Sequence, residues 1–109
     1  MAIAMSGRRS RTKGASFERF MAHAFQAMGY AAKRGIGQTR SGSEVADVEG
    51  TGYWVECKRR KRCNVQAAYT QACEATDGRP VLVVTKDDYG PVLVTMGWDE
   101  FARLGGHRE

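Results

Sequence analysis

Three side chains near the middle of the sequence have the types and spacing for chemistry: Asp47, Glu56 and Lys58. The stretch Tyr53 to Lys58 reads as a strand, so Glu56 and Lys58, two apart, project from one face. Val45 to Glu49 reads as the strand before it, and Gly50-Thr51-Gly52 as the turn that closes a hairpin. With Thr51-Gly52 as the loop, Asp47 falls opposite Glu56, and the two carboxylates lie roughly 5 Å apart on the same face. A three-residue loop moves Asp47 opposite Val55 unless a bulge intervenes. Opposed like charges destabilise a sheet, so such a pair argues for a cation between them. Oxygen ligands of this kind suit Mg²⁺ or Mn²⁺, and the backbone carbonyl of Cys57 can add a third oxygen. Lys58 places a compact positive charge beside that cation. There it can orient a water, lower its pKa, or neutralise charge that builds on a phosphate.

The competing reading is a hairpin whose surface charges form ordinary cross-strand ion pairs, since D-x(8)-E-x-K is a loose pattern. Four neighbours favour the chemical reading. Val45, Val48 and Val55 embed the charges in strands, and the basic run Lys58, Arg59, Arg60, Lys61 and Arg62 follows at once. A glycine- and serine-bearing loop from Arg34 to Glu44 precedes, and a further acid, Glu18, lies upstream. Glu18 falls in the first turn of an expected helix, where it either favours the helix dipole or reaches the metal through water. Arg19 beside it is either a phosphate contact or a surface charge. The net charge is +5, with Arg8, Arg9, Arg11 and Lys13 forming a second basic cluster. Clustered charge points to a polyanion, with nucleic acid as the default. Two carboxylates, a lysine and basic flanks are what metal-assisted phosphodiester hydrolysis requires.

The elements that must position these groups follow from periodicity. Residues 1–14 lack hydrophobic periodicity and read as a flexible basic arm, leaving 15–109 as the folded domain. Ser16 is the expected cap of a helix to about Met28, with Phe17, Phe20, Met21, Phe25 and Met28 on one side and Gly29 as its stop. Tyr30 to Lys33 reads as a short strand. Asn64 caps a helix through Thr76. Val81 to Thr85 is an apolar run typical of a strand covered on both faces, and Val92 to Met96 is another strand. Asp99 is the expected cap of a last helix carrying Phe101 and Leu104. The order α-β-β-β-α-β-β-α describes one α/β domain, a mixed central sheet of about five strands flanked by helices. Cys57, Cys63 and Cys73 form no C-x-x-C pair, which argues against a disulfide framework or a structural zinc. Reduced thiols, no secretory signal and no membrane span fit a cytoplasmic protein.

The segments K-G-A-S-F-E-R-F, R-S-G-S-E-V-A-D-V-E-G and W-V-E-C-K-R-R-K resemble the PD-(D/E)xK nuclease superfamily, and within it the archaeal-type Holliday junction resolvases and their phage-encoded relatives. Ala46 stands where the motif's name has proline. The resemblance implies a restriction-endonuclease-like nuclease fold, with Glu18, Asp47, Glu56 and Lys58 as the catalytic and metal-binding set. It implies an Mg²⁺-dependent homodimer facing a four-way DNA junction, in a bacterial or phage-infected cell. It implies DNA contacts from Arg19, Arg34 and a loop serine, Ser41 or Ser43; Arg40 in the same loop and the run Arg59 to Arg62 are further candidates for DNA contact. A dimer interface is expected on the helix from Asn64 to Thr76 and nearby apolar strands. Two other functions fit the same residues. One is a nuclease of this superfamily that acts on ends, flaps or specific sites; the other is a DNA-binding module without catalysis.

Overall fold

A strand buried on both faces must be apolar along its whole length, and Val81, Leu82, Val83, Val84 and Thr85 are all buried in the middle of the molecule. The structure is a computed structural model that describes residues 2–36 and 45–105. Its elements in chain order are α1 (Ala2–Ala27), β1 (Lys33–Arg34), β2 (Val48–Glu49), β3 (Trp54–Arg60), α2 (Val65–Ala75), β4 (Val81–Asp87), β5 (Val92–Thr95) and α3 (Trp98–Gly105). They form one α/β domain with a mixed five-stranded sheet ordered β1-β2-β3-β4-β5. β3 and β4 run parallel, joined through α2, and the other neighbours are antiparallel.

The two helices cover opposite faces of the sheet. Phe17, Met21, Ala22 and Phe25 recur along one side of α1 and pack on Val55, Cys57, Leu82 and Val84. Ala68 and Ala72 of α2 pack on Trp54, Val81 and Val83. Odd residues of β3 therefore face α1, and Trp54, Glu56 and Lys58 face the α2 side.

Several boundaries differ from the sequence expectation. Ser16 does not cap α1, which begins at Ala2 and passes through it. Arginine, lysine, alanine and methionine ahead of Ser16 are good helix formers, and Gly14 sits where nothing crowds it. At the other end Gly29 has φ 106°. The N–H of Tyr30 donates to the carbonyl of Phe25 and that of Gly29 to Gln26, which closes a Schellman motif. The first two strands are short, two residues each, at Lys33–Arg34 and Val48–Glu49. Asn64 caps α2, its side chain accepting from the N–H of Ala67 at 3.0 Å. α3 starts ahead of Asp99, because the N–H of Phe101 bonds to the carbonyl of Gly97; Asp99 and Glu100 lie in its first turn, where they favour the dipole.

The buried side chains of α2, Ala68 and Ala72, pack inside the chain against the sheet. Exposed apolar side chains gather on β5 (Val92, Leu93, Val94) and α3 (Trp98, Phe101, Leu104). Among the described residues no helix is long and apolar enough to cross a membrane.

Candidate active site

Hairpin register decides where the acids stand. Val48 pairs with Val55, the register that levels Asp47 with Glu56. Pairing stops at that point, because the N–H of Asp47 donates to the carbonyl of Val55 at 2.9 Å. Two successive residues thus address one partner, as at a β-bulge, and the chain bends away from β3. The Asp47 carboxylate then turns into the gap, where its Oδ2 accepts the N–H of Cys57 at 2.8 Å. It does not stand opposite Glu56 on the α2 face; it lies at the sheet edge, beside the residue that separates Glu56 from Lys58. A strand residue points its N–H and C=O the same way. The carbonyl of Cys57 therefore also faces the gap that β2 leaves.

Close backbone contacts hold Asp47 there. The N–H of Gly35 donates to the carbonyl of Asp47 at 2.8 Å. A Cβ on Gly35 would meet the carbonyl oxygen of Ala46 at 1.9 Å, so no other residue fits. Gly50, at φ 92°, lets the turn pass the carbonyl of Ala31 at 2.2 Å from where a Cβ would sit. On the α2 side, Glu49 accepts the N–H of Ala46 at 3.1 Å and pairs with Arg79 at 2.9 Å. Arg79 is in turn fixed by Asp77 at 2.9 Å and by stacking over the Trp54 ring, 5.3 Å from its centroid. None of Gly35, Glu49 or Arg79 stood out in the sequence. The signal was the glycine just after the β1 residues, which marks a close backbone approach.

The electrostatics are those of a site short of a cation. Burial pushes the Asp47 carboxyl up to about 7; the N–H of Cys57 opposes this, the charges of Glu56 and Glu18 add to it, and that of Lys58 offsets part of it. Among the described residues no cation forms an ion pair with Asp47. Lys58 instead pairs with Glu56 at 3.3 Å, both half-buried. The Cys57 thiol is driven far above its usual range by burial and the surrounding acids, so it packs as an apolar group.

Glu18 comes from α1 on the other face, close enough for its charge to act on Asp47. Its Oε1 accepts from Arg34 Nε at 2.8 Å, which joins two of the expected site residues to each other. Arg19 is exposed. Arg59, on the α1 side, is held by Asp88 at 3.4 Å, and Asp88 also takes Lys13 at 3.2 Å. Arg60 is exposed at the last paired position of β3, and Lys61 and Arg62 are exposed just beyond it. Arg40, Ser41 and Ser43 lie outside the described residues.

Among the described residues no three His, Cys, Asp or Glu side chains gather tightly enough to hold a metal ion alone. The donors at the gap are Asp47, Glu56 and the carbonyl of Cys57. Mg²⁺ commonly binds through one or two carboxylates with waters and phosphate oxygens filling the rest, so this set fits it. Comparison with protein-family models, with curated proteins and with solved structures finds no match to this chain.

Proposed function

We propose that the protein is an Mg²⁺-dependent endonuclease, with Mn²⁺ able to substitute, that cuts branched DNA such as a four-way junction. The observation that carries the reading is the gap itself. A half-buried carboxylate that forms no ion pair among the described residues lies beside a Glu56–Lys58 pair, where β2 leaves β3, and Lys58 opens a run of five basic residues whose last three are exposed. A bystander hairpin gains nothing from a half-buried acid whose direct partner among the described residues is a backbone N–H, because charge taken out of water is costly. A pure DNA binder gains nothing from acids next to its phosphate contacts.

Asp47 and Glu56 would hold the cation with the carbonyl of Cys57. When bound, the cation supplies Lewis acidity and a more acidic water. The chain's own part is to aim and to screen. Cys57 N–H fixes the Asp47 carboxylate, leaving its second oxygen for the cation. Lys58 keeps its ammonium on the same face as Glu56, where a phosphate would gain negative charge. Arg60, Lys61 and Arg62 hold the DNA backbone past that point. Glu18 and Arg34 brace the α1 side. The selectivity for junctions and the two-fold partner rest on the resemblance in sequence.

Labelled four-way junction, flap and linear duplex, each with Mg²⁺ or EDTA, test the reading. Metal-dependent cleavage that favours the junction is expected. Binding without cleavage under every metal condition supports the non-catalytic DNA-binding module instead, and equal cleavage of all three substrates supports a general nuclease.

A further inference from the structure

Past the end of β4 the chain reverses through Asp87 to Gly90, with the N–H of Gly90 donating to the carbonyl of Asp87 at 2.9 Å. Asp88 and Tyr89 are therefore the two central residues of a β-turn. Tyr89 has φ 64°, and it is the one non-glycine residue with positive φ among those described. Turns of this kind favour glycine or asparagine at that position, and a bulky side chain is disfavoured. An outlier of that sort is a reason to ask what the side chain does.

The turn is clamped on every side. The N–H of Asp88 bonds to the carbonyl of Arg60 at 2.9 Å, and the Asp88 carboxylate takes Lys13 and Arg59. Asp87 Oδ1 accepts the N–H of Cys63 at 2.8 Å, and Lys86 Nζ donates to the carbonyl of Gly90 at 2.7 Å. From this rigid base the Tyr89 ring projects fully into solvent, at 104% relative exposure. It lines a cleft of about 550 Å³ with Lys61, Arg62 and Asp88. Lys13 and Arg59 offset the charge of Asp88 and hold its carboxyl below the usual range. Lys61 and Arg62 form no ion pair among the described residues, so the cleft presents a ring face and two available cations.

A ring face beside cations is the chemistry that holds unpaired nucleic acid: the ring stacks on a base, and the cations take neighbouring phosphates. Lys61 is three residues along the chain from Lys58, roughly 10 Å at strand rise, or about three nucleotide steps. We propose that Tyr89 is a stacking platform for an unpaired base of bound DNA, with Lys61 and Arg62 on the phosphates next to it. The proposal deepens the nuclease reading and rests on it for the ligand. Stacking is interrupted at a branch point, so a base there is freed at less cost than within a continuous duplex, and this platform would make the protein prefer branched DNA.

The test is binding in EDTA, which removes cleavage from the readout. The probes carry 2-aminopurine in a single strand, at the branch of a four-way junction, or inside a paired duplex. The parent protein should change the probe's fluorescence through stacking on the first two. Tyr89→Ala should abolish that signal and weaken both complexes about tenfold, leaving the duplex complex as it was. Tyr89→Trp should restore signal and affinity. Tyr89→Gly should show the same binding loss with undiminished thermal stability, because glycine suits the left-handed backbone; a merely structural tyrosine would lower stability instead. Parent-like signal and affinity in Tyr89→Ala overturn the proposal, as does an equal loss on duplex. If the parent cuts junctions in Mg²⁺ while Tyr89→Ala binds them equally well, the platform fails and the nuclease reading stands. If the parent neither binds nor cuts any of the DNAs, both fail.

Discussion

The Asp47 carboxylate accepts the backbone N–H of Cys57 at 2.8 Å, and this bond joins the end of β2 to the middle of β3 after their own pairing has stopped. A side chain here takes over from the backbone ladder. The consequence is an acid fixed beside the backbone of Cys57, the residue between Glu56 and Lys58.

The pH dependence of stability follows from that placement. Asp47 ionises near 3.8 in a free chain and near 7 in the folded protein. The folded state therefore keeps a proton that the unfolded state gives up. The contribution is fully present below about pH 4 and is lost as pH rises through 7. At most it amounts to about 4 kcal/mol at about 1.4 kcal/mol per unit. Metal-free protein should thus melt lower at pH 8 than at pH 5, and Mg²⁺ or Mn²⁺ should raise Tm more at pH 8, with release of a proton on binding. Asp47→Asn keeps an acceptor for Cys57, so it should remove the pH step, lose the metal effect and lose cleavage. Thermal melts across pH with and without metal decide this; an unchanged pH step in Asp47→Asn places the titration elsewhere.

Lys58 gives a second prediction, independent of metal binding. Its ammonium lies on the same face as Glu56 and touches it, so it acts on whatever the acids help to hold. Lys58→Ala should lower the cleavage rate by about two to three orders of magnitude, as loss of one preorganised charge or donor commonly does. Metal should still raise Tm in this variant. Near-normal cleavage would make Lys58 part of the general basic surface.

Gly35 gives a third, and it tests positioning in place of chemistry. A methyl group there would overlap the carbonyl oxygen of Ala46, a backbone atom that can move only if the segment carrying Asp47 moves. Gly35→Ala should cost about 1–3 kcal/mol of stability, as overpacking does. It should also weaken the metal-dependent rise in Tm. Gly14→Ala, in open space on α1, is the control and should cost nothing. Equal behaviour of the two variants would remove Gly35 from the site.

Much of this was legible in local sequence. The Asn64 cap, the Gly29 stop and the apolar run at Val81 act through neighbours in the chain, and each formed the element its residues suggest. The pairing of Val48 with Val55 follows from the turn, but the place of Asp47 does not, because its N–H bonds to the carbonyl of Val55 and its carboxylate to the N–H of Cys57. What local pattern does not carry is contact between distant segments. The bulge at Asp47 depends on Gly35, Glu49 and Arg79, and Arg79 is 30 residues from Glu49. Ser16 looks like a cap because cap chemistry is local, yet helix formers on both sides carry α1 through it. Which helix lies on which face is also a tertiary matter, so nothing in the sequence separated Glu18 on α1 from Glu56 and Lys58 on the α2 side.

The final prediction concerns the subunit partner that junction cutting calls for. β5 is an edge strand, and its Val92, Leu93 and Val94 are exposed, as are Trp98, Phe101 and Leu104 of α3. Val94 and Leu104 also line an apolar hollow of about 300 Å³ with Met21, Phe25 and Met28. An exposed apolar edge is a liability unless something covers it. β5 is two strands from β3, so covering it leaves the gap at Asp47 open to DNA. A two-fold pairing of β5 with a second copy would do both, and two-fold dimers are the commonest closed assembly. The protein is expected to sediment at twice its 12.0 kDa chain mass. Val94→Lys combined with Leu104→Glu should give a folded monomer by circular dichroism. On a cruciform plasmid that monomer should make single nicks, where the parent makes paired ones in one binding event. A parent that is monomeric at micromolar concentration, or a double variant that still sediments as a dimer, would rule out this surface as the interface.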